Sequence, residues 1–232
     1  MDNKTDEKEI IIKVVFLGYT KGGKTNIITQ YVEKRFDEQF DSTIGASYAN
    51  KVIKTQSGKV RFDIWDTAGQ DRFKTLTCFF FKDAKVGIFV YDPYDRESFE
   101  KVKWYISQMK KELAKKALYI LCENKKDITD KEKEVPFEEA SIFARKEKMD
   151  IFSVSAKTGE GIEDMFNVCG EYAMGTKKEE KPIEIVILKK NKNKKEYHNC
   201  KVWIYLYYLI INNMQKELIF INENSIIIFI IK

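Results

Sequence analysis

Histidine is almost missing: the 232 residues hold one, His198, set among Lys and Asn. A His-based catalytic triad or a His-built metal cluster needs more than that, so both classes are disfavoured. Cysteine is sparse as well. Cys78, Cys122, Cys169 and Cys200 lie far apart with no C-x-x-C spacing, which argues against a zinc site or a disulfide framework and for a reducing, intracellular compartment. No charged-then-apolar leader opens the chain, and Met1-Asp2-Asn3-Lys4 lacks the glycine that myristoylation requires. The apolar stretch Val202–Ile211 is ten residues long, well short of the roughly 20 of a spanning helix. Basic excess is absent from the first three-quarters: residues 1–176 carry 30 Lys/Arg and 30 Asp/Glu, and the net +5 comes from 11 basic against 6 acidic residues in 177–232. A nucleic-acid-binding domain carries its own basic surface, so no nucleic-acid partner is expected.

Glycine is also missing from the end. All 11 glycines lie at or before Gly175, and Ile, Asn and Lys make up 31 of the last 56 residues. That bias marks a boundary. The chain divides into an N-terminal extension (1–9), a domain (10–176) and a Lys/Ile/Asn-rich tail (177–232) expected to be disordered or not native sequence, since AT-rich non-coding DNA yields these residues. Within the tail, the five lysines of 189–195 suit an anionic membrane surface, and Ile226–Ile231 reads as an aggregation-prone strand segment.

What is present is an alternation of strands and helices. Ile10–Phe16 is a nearly continuous apolar run, as a buried parallel strand requires. Helical periodicity follows over Asn26–Phe36, then a hairpin from Val52–Lys54 and Val60–Trp65 around Gln56-Ser57-Gly58-Lys59. Further strands are expected at Val86–Tyr91, Ala117–Cys122 and Ile151–Val154, with helices near Arg96–Lys115, Phe137–Lys148 and Ile162–Met174. This is an α/β pattern with right-handed crossovers, a mostly parallel sheet and helices on both faces. Ligands of such sheets sit outside the carboxyl ends of the strands.

Three motifs fall at those ends. Gly18-Tyr19-Thr20-Lys21-Gly22-Gly23-Lys24-Thr25 fits G-x-x-x-x-G-K-[ST] between a strand and a helix. Its glycines let backbone N–H groups wrap phosphates, the helix N-terminus adds a positive dipole, Lys24 reaches the β/γ-phosphate oxygens and the Thr25 hydroxyl suits Mg²⁺. Trp65-Asp66-Thr67-Ala68-Gly69-Gln70 supplies a carboxylate, Asp66, for a hard cation. Gly69 permits close approach to the γ-phosphate, and Gln70 offers an acceptor and a donor for orienting a water. Asn124-Lys125-Lys126-Asp127 supplies a carboxylate able to accept from guanine N1–H and the 2-amino group together, donors that adenine lacks. Asp127 thereby favours GTP over ATP, Lys125 lays its stem across the base, and in Ser155-Ala156-Lys157 the Ala156 N–H can meet guanine O6.

With these motifs in order, residues 10–175 resemble the Ras superfamily of small GTPases and, within it, the Rab family. The resemblance implies a P-loop small GTPase domain: a mostly parallel six-stranded sheet with helices on both faces, followed here by a low-complexity C-terminal tail. Asp37 to Tyr48, with Phe40-Asp41-Ser42-Thr43-Ile44-Gly45-Ala46-Ser47-Tyr48, looks like the first switch, which makes Thr43 a Mg²⁺ ligand and Phe36 a ring stacked on guanine. Trp65 before Asp66, and Arg72-Phe73 after Gln70, favour Rab over Ras, and the Ile-Gly-Ala-Ser-Tyr string is most similar to the early-endosomal branch. Ile44, Tyr48, Trp65 and Phe80 match the surface that Rabs show to effectors.

The implied function is a slow, Mg²⁺-dependent GTPase with Lys24 and Gln70 catalytic. Its metal ligands would be Thr25, Thr43 and Asp66, and its bound nucleotide GTP or GDP. Implied partners are an exchange factor, a GTPase-activating protein and effectors. A monomer is expected, cytoplasmic or peripheral on endosomal membranes, and reaching membrane only through a lipid or the basic tail. A nucleotide-holding module of the same fold without effective hydrolysis is the alternative, with Thr20 and Lys21 beside the γ-phosphate as its cause. Three departures from the family pattern stand out. Lys21 occupies a P-loop position that is usually glycine or small, so Gly22 and Gly23 are expected to keep the loop's shape. Glu123 replaces a small residue, with no consequence expected. The last residues, Phe229-Ile230-Ile231-Lys232, hold no prenylatable cysteine.

Overall fold

The structure is a computed structural model that describes residues 9–38, 43–55, 58–70, 74–113, 117–176, 186–189, 216–221 and 226–231. The chain forms two compact units, Met1–Lys177 and Lys178–Lys232. The first contains β1 (Glu9–Leu17), α1 (Lys24–Glu33), β2 (Ala46–Thr55), β3 (Gly58–Thr67), α2 (Lys74–Phe79), β4 (Val86–Tyr91) and α3 (Arg96–Leu113). It continues with β5 (Leu118–Glu123), α4 (Phe137–Lys146), β6 (Asp150–Ser153) and α5 (Ile162–Ala173).

Six strands form one sheet in the order β2-β3-β1-β4-β5-β6. Only the β2–β3 hairpin is antiparallel; β3, β1, β4, β5 and β6 run parallel. Side chains of a strand alternate between faces, and β1 divides its residues accordingly. Ile12, Val14 and Phe16 join one core with Ile27 and Tyr31 of α1 and Met165, Phe166 and Cys169 of α5. Val15 and Leu17 join the other with Phe99, Val102, Ile106 and Met109 of α3 and Ala140 and Ala144 of α4. β4 and β5 are buried along their whole length, which is why they read as unbroken apolar runs rather than alternating ones.

Every strand and helix expected in this unit is present, with ends shifted by a few residues. The short helix α2 was not anticipated: Lys74–Phe79 has six residues, too few for a 3.6-residue period to show. The second unit contains β7 (Val186–Lys189), β8 (Lys216–Ile221) and β9 (Ile226–Ile231) in an antiparallel sheet with β9 central. β9 is the strand-like isoleucine run, and its two pairings are a feature that composition did not supply. Among the described residues, no helix is long and apolar enough to cross a membrane. His198, Cys200, the Val202–Ile211 stretch and the lysines of 190–195 lie outside the described residues, as do Phe40, Asp41, Ser42, Asp71, Arg72 and Phe73.

Candidate functional site: a cavity at the carboxyl rim

The loops leaving β1, β3, β5 and β6 enclose a cavity of about 420 Å³. Of the residues predicted for nucleotide and metal, Gly18, Gly22, Asp66 and Ser155 do not line it, and all the others do, Gln70 and Phe36 included.

On the phosphate side, α1 opens at Gly23 with φ 90°, has no side-chain cap and carries no acidic residue in its first turn. Its free N–H groups and dipole are left for an anion. A Cβ at Gly23 would fall 2.1 Å from Asn124 Nδ2, and one at Gly18 (φ 145°) 2.2 Å from the Val90 carbonyl oxygen. These two glycines are therefore required sterically as well as conformationally. Gly22 is not held at positive φ; Lys21 is, at 60°. Gly22 contributes by other means: its N–H donates to the Tyr19 carbonyl at 3.4 Å, and a Cβ there would lie 3.3 Å from that oxygen. Beyond the two glycines expected to shape the loop, Lys21 itself takes the left-handed conformation, at a typical cost of about 1–2 kcal/mol for a residue with a Cβ.

Lys24 is buried and its ammonium donates to the carbonyl oxygens of Gly18 and Tyr19, both at 3.0 Å. Burial pushes its pKa down to about 8, and the nearby Asp66 carboxylate opposes that shift. Three oxygen donors meet beside it. The Thr25 hydroxyl donates to Asp66 Oδ2 at 2.6 Å, the Thr43 hydroxyl does so at 3.2 Å, and the two hydroxyls are 3.0 Å apart. Asp66 is 2% exposed and its Oδ1 has no hydrogen-bond partner. Burial raises its pKa, while the Thr25 hydroxyl, the Lys24 charge and the Thr43 hydroxyl pull it down. A hard, all-oxygen donor set with an unsatisfied buried carboxylate oxygen fits Mg²⁺.

The two switch segments touch the rest of the site through backbone. Ala68 N donates to the Gly45 carbonyl at 2.9 Å. A Cβ added to Gly69 would lie 2.4 Å from Thr20 N and 2.7 Å from Lys24 Nζ, so Gly69 rests directly on the phosphate loop.

On the base side, Asn124 is the hub. Its Nδ2 donates to the Gly22 carbonyl at 3.0 Å, and its Oδ1 accepts from Ala156 N at 3.0 Å. Lys125, at φ 64°, pairs with Asp92 Oδ2 at 2.5 Å. Asp127 Oδ1 accepts from the Ser155 hydroxyl at 2.5 Å, and that hydroxyl oxygen also accepts from Thr158 N at 3.0 Å. Lys157 reaches across the mouth to Glu38 at 3.1 Å.

Sequence reasoning missed several residues. Asn26, Glu38 and Ile128 line the cavity, and the Asn26 amide fastens α1 to the first switch by donating to the Asp37 carbonyl at 2.9 Å. Asn26 directly follows the Thr25 ligand, which is a usable signal. Asp92 carries none, because only the parallel register brings it beside Lys125. Glu123, expected to be without consequence, is fully buried and accepts three side-chain hydrogen bonds.

Away from the cavity, three of the four predicted effector residues, Tyr48, Trp65 and Phe80, are joined through their rings. Tyr48 and Trp65 rings lie 5.4 Å apart, Trp65 and Phe80 5.1 Å, and Ile44 is 81% exposed.

A family model described as Ras family matches residues 13–174. The chain is 34% identical over 161 residues to the Ras-related protein Rab-4A of Danio rerio, covering 69% of this chain and 75% of that protein. It is equally similar to Rab-4A of Homo sapiens, with 69% and 73% covered. It is 35% identical over 159 residues to the Ras-related protein RabJ of Dictyostelium discoideum, with 68% and 62% covered.

Proposed function

The chain belongs to the Ras family of small GTPases, among its Rab members, and on that footing we propose that it is a guanine-nucleotide switch of vesicle traffic at endosomal membranes. It binds GTP and GDP, hydrolyses GTP slowly, and recruits effectors to the Tyr48–Trp65–Phe80 surface in one of the two states. The observation that carries this reading is the convergence at one cavity of the buried Lys24 ammonium, the Thr25–Thr43–Asp66 oxygen cluster and the Asp127 carboxylate.

Lys24, fixed by the Gly18 and Tyr19 carbonyls, presents its charge to the β/γ-phosphate oxygens. Thr25, Thr43 and Asp66 would hold Mg²⁺, which when bound neutralises charge developing on the same phosphates. Gln70 lines the cavity next to Gly69, where its amide oxygen accepts from the attacking water and its NH₂ donates to the γ-phosphate. Asp127, held by Ser155, accepts from guanine N1–H and the 2-amino group. The Gly69 contact with the phosphate loop links the presence of the γ-phosphate to the second switch, and the Ala68–Gly45 bond carries it to the first. No arginine lines the cavity among the described residues, so intrinsic turnover on the order of 10⁻⁴–10⁻³ s⁻¹ is expected, with an activating protein supplying the missing cation.

Single-turnover phosphate release with Gln70→Leu as the comparison tests this, together with competition by unlabelled GTP and ATP. Wild type should release phosphate slowly without an activator and faster with one, the variant should stay slow, and only GTP should compete. Equal slowness of both proteins with an activator would identify a module that holds nucleotide without hydrolysing it. Effective ATP competition would remove the guanine assignment.

A further inference from the structure

Glu123 is the last residue of β5 and its side chain is 0% exposed. Oε1 accepts from Lys133 Nζ at 2.6 Å and from the Ser153 hydroxyl at 2.8 Å, and Oε2 accepts from the Tyr91 hydroxyl at 3.0 Å. Its main-chain carbonyl accepts from Val154 N at 2.8 Å. The strand register explains this reach: Tyr91 and Glu123 are direct partners across β4 and β5, and Glu123 and Ser153 across β5 and β6. One carboxylate thus ties together the final residues of three adjacent strands.

Each of those strands hands over at once to a part of the base site. Tyr91 precedes Asp92, the partner of Lys125. Glu123 precedes Asn124-Lys125-Lys126-Asp127. Ser153 lies two residues before Ser155, the partner of Asp127. The third side-chain partner, Lys133, belongs to the loop that leaves Asp127 and returns to α4. Tyr94 fastens the same loop by donating to the Ile128 carbonyl, and Ile128 lines the cavity. A buried carboxylate with one of its charged or polar partners removed is costly, whereas a fully satisfied network rigidifies what it connects.

We propose that Glu123, through Lys133, is a positioning residue for base recognition: it holds the Asp92, Asn124–Asp127 and Ser155–Ala156 segments in mutual register and so sets how long guanine nucleotide stays bound and how well its 2-amino group is sensed. The inference rests on the guanine-switch reading above. Glu123 does not touch the nucleotide; it acts through the three strand ends.

The test uses the full chain loaded with fluorescent GDP or its inosine counterpart, which lacks the 2-amino group, and follows release into excess unlabelled nucleotide. Glu123→Gln and Lys133→Met are compared with Val102→Ala, an α3 truncation in the core that also packs Tyr91, at matched losses of thermal stability. Both network variants should release GDP at least tenfold faster than Val102→Ala and lose at least threefold of the GDP-over-IDP preference. The double variant should add little to either single change. The acceleration caused by Mg²⁺ removal, a phosphate-side property, should be the same in all proteins. Release and preference equal to Val102→Ala would overturn the proposal while leaving the guanine assignment intact. If Glu123→Gln does not fold, Lys133→Met, whose side chain is one-third exposed, decides the matter alone. A wild type that retains neither nucleotide would overturn both readings together.

Discussion

Asn124 donates from Nδ2 to the carbonyl oxygen of Gly22 at 3.0 Å, across 102 positions of sequence, and so ties the loop after β5 to the loop after β1. With Oδ1 it also takes the Ala156 N–H. A single buried amide is therefore the joint at which three loops from three strands meet, and the two halves of the cavity share one support.

That joint gives the first prediction. Asn124→Ala strands a buried carbonyl and a buried N–H, each worth about 1–3 kcal/mol when unsatisfied. A loss of about 2–6 kcal/mol in folding stability is expected, along with at least a hundredfold loss of GDP affinity. Urea unfolding and nucleotide titration read the two effects separately. A variant with near wild-type stability and affinity would mean that water or a loop shift replaces the amide.

Gly69→Ala acts on the switch instead. The added methyl meets backbone at Thr20 and the Lys24 ammonium, neither of which can yield cheaply, so the second switch must move off the phosphate loop. GDP binding should persist within a few-fold, while GTP hydrolysis falls by about 10²-fold, a typical loss when one charge-stabilising contact is displaced. Unaltered hydrolysis would show that the approach of Gly69 is dispensable.

Lys21 sits in the left-handed region at φ 60°. Lys21→Gly removes about 1–2 kcal/mol of steric cost but gives back about 0.4–1 kcal/mol through a more flexible unfolded chain. The net result should be neutral to about 1.6 kcal/mol stabilising. Lys21→Val, with its branched Cβ, should destabilise by about 1–2 kcal/mol. Because Lys21 lines the cavity, both variants should also bind the triphosphate more weakly at low salt. An unchanged affinity in both would leave Lys21 with no role beyond its backbone.

Tyr31 carries a buried hydroxyl with no hydrogen-bond partner. Burial first, then the Glu163 and Cys169 charges, hold its pKa above the usual value of about 10. Burial and Glu123 do the same for Tyr91. Above about pH 10 the unfolded chain releases protons that the folded chain keeps, so this part of the stability is whole below pH 10 and is lost as pH rises. Tyr31→Phe should be neutral or stabilising at pH 7 and should flatten the alkaline loss by up to about 1.4 kcal/mol per pH unit. Urea unfolding at stepped pH, with tyrosinate absorbance as a second probe, gives both numbers. An unchanged alkaline slope would mean that Tyr31 ionises within the folded protein.

Much of this was legible because local chemistry and long-range geometry agree where phosphate binds. Gly23, Lys24 and Thr25 advertise a loop and a helix start, Asp66 lies near the end of an alternating strand, and Asn124–Asp127 directly follows the apolar run of β5. The illegible parts depend on register. Glu123 looks like an ordinary polar residue beside a motif until Tyr91 and Ser153 are seen on either side of it. Asp92 is silent until Lys125 turns at positive φ to meet it. The left-handed turn at Lys21 was missed because glycine lies one position later, and composition suggested that the glycine would take the turn.

The parallel run of β3, β1, β4, β5 and β6 gives the molecule a polarity that its chemistry uses at one end only. The β6 strand begins two residues after Lys148, an exposed residue at φ 55° in the turn after α4, and ends at Ser153, two residues before the Ser155–Asp127 contact. The upstream edge is in effect a handle. A dye, an immobilising tether or a fused reporter attached at Lys148 leaves the opposite edge free to exchange its nucleotide, so the protein can be held still by one side of its sheet and watched at work on the other.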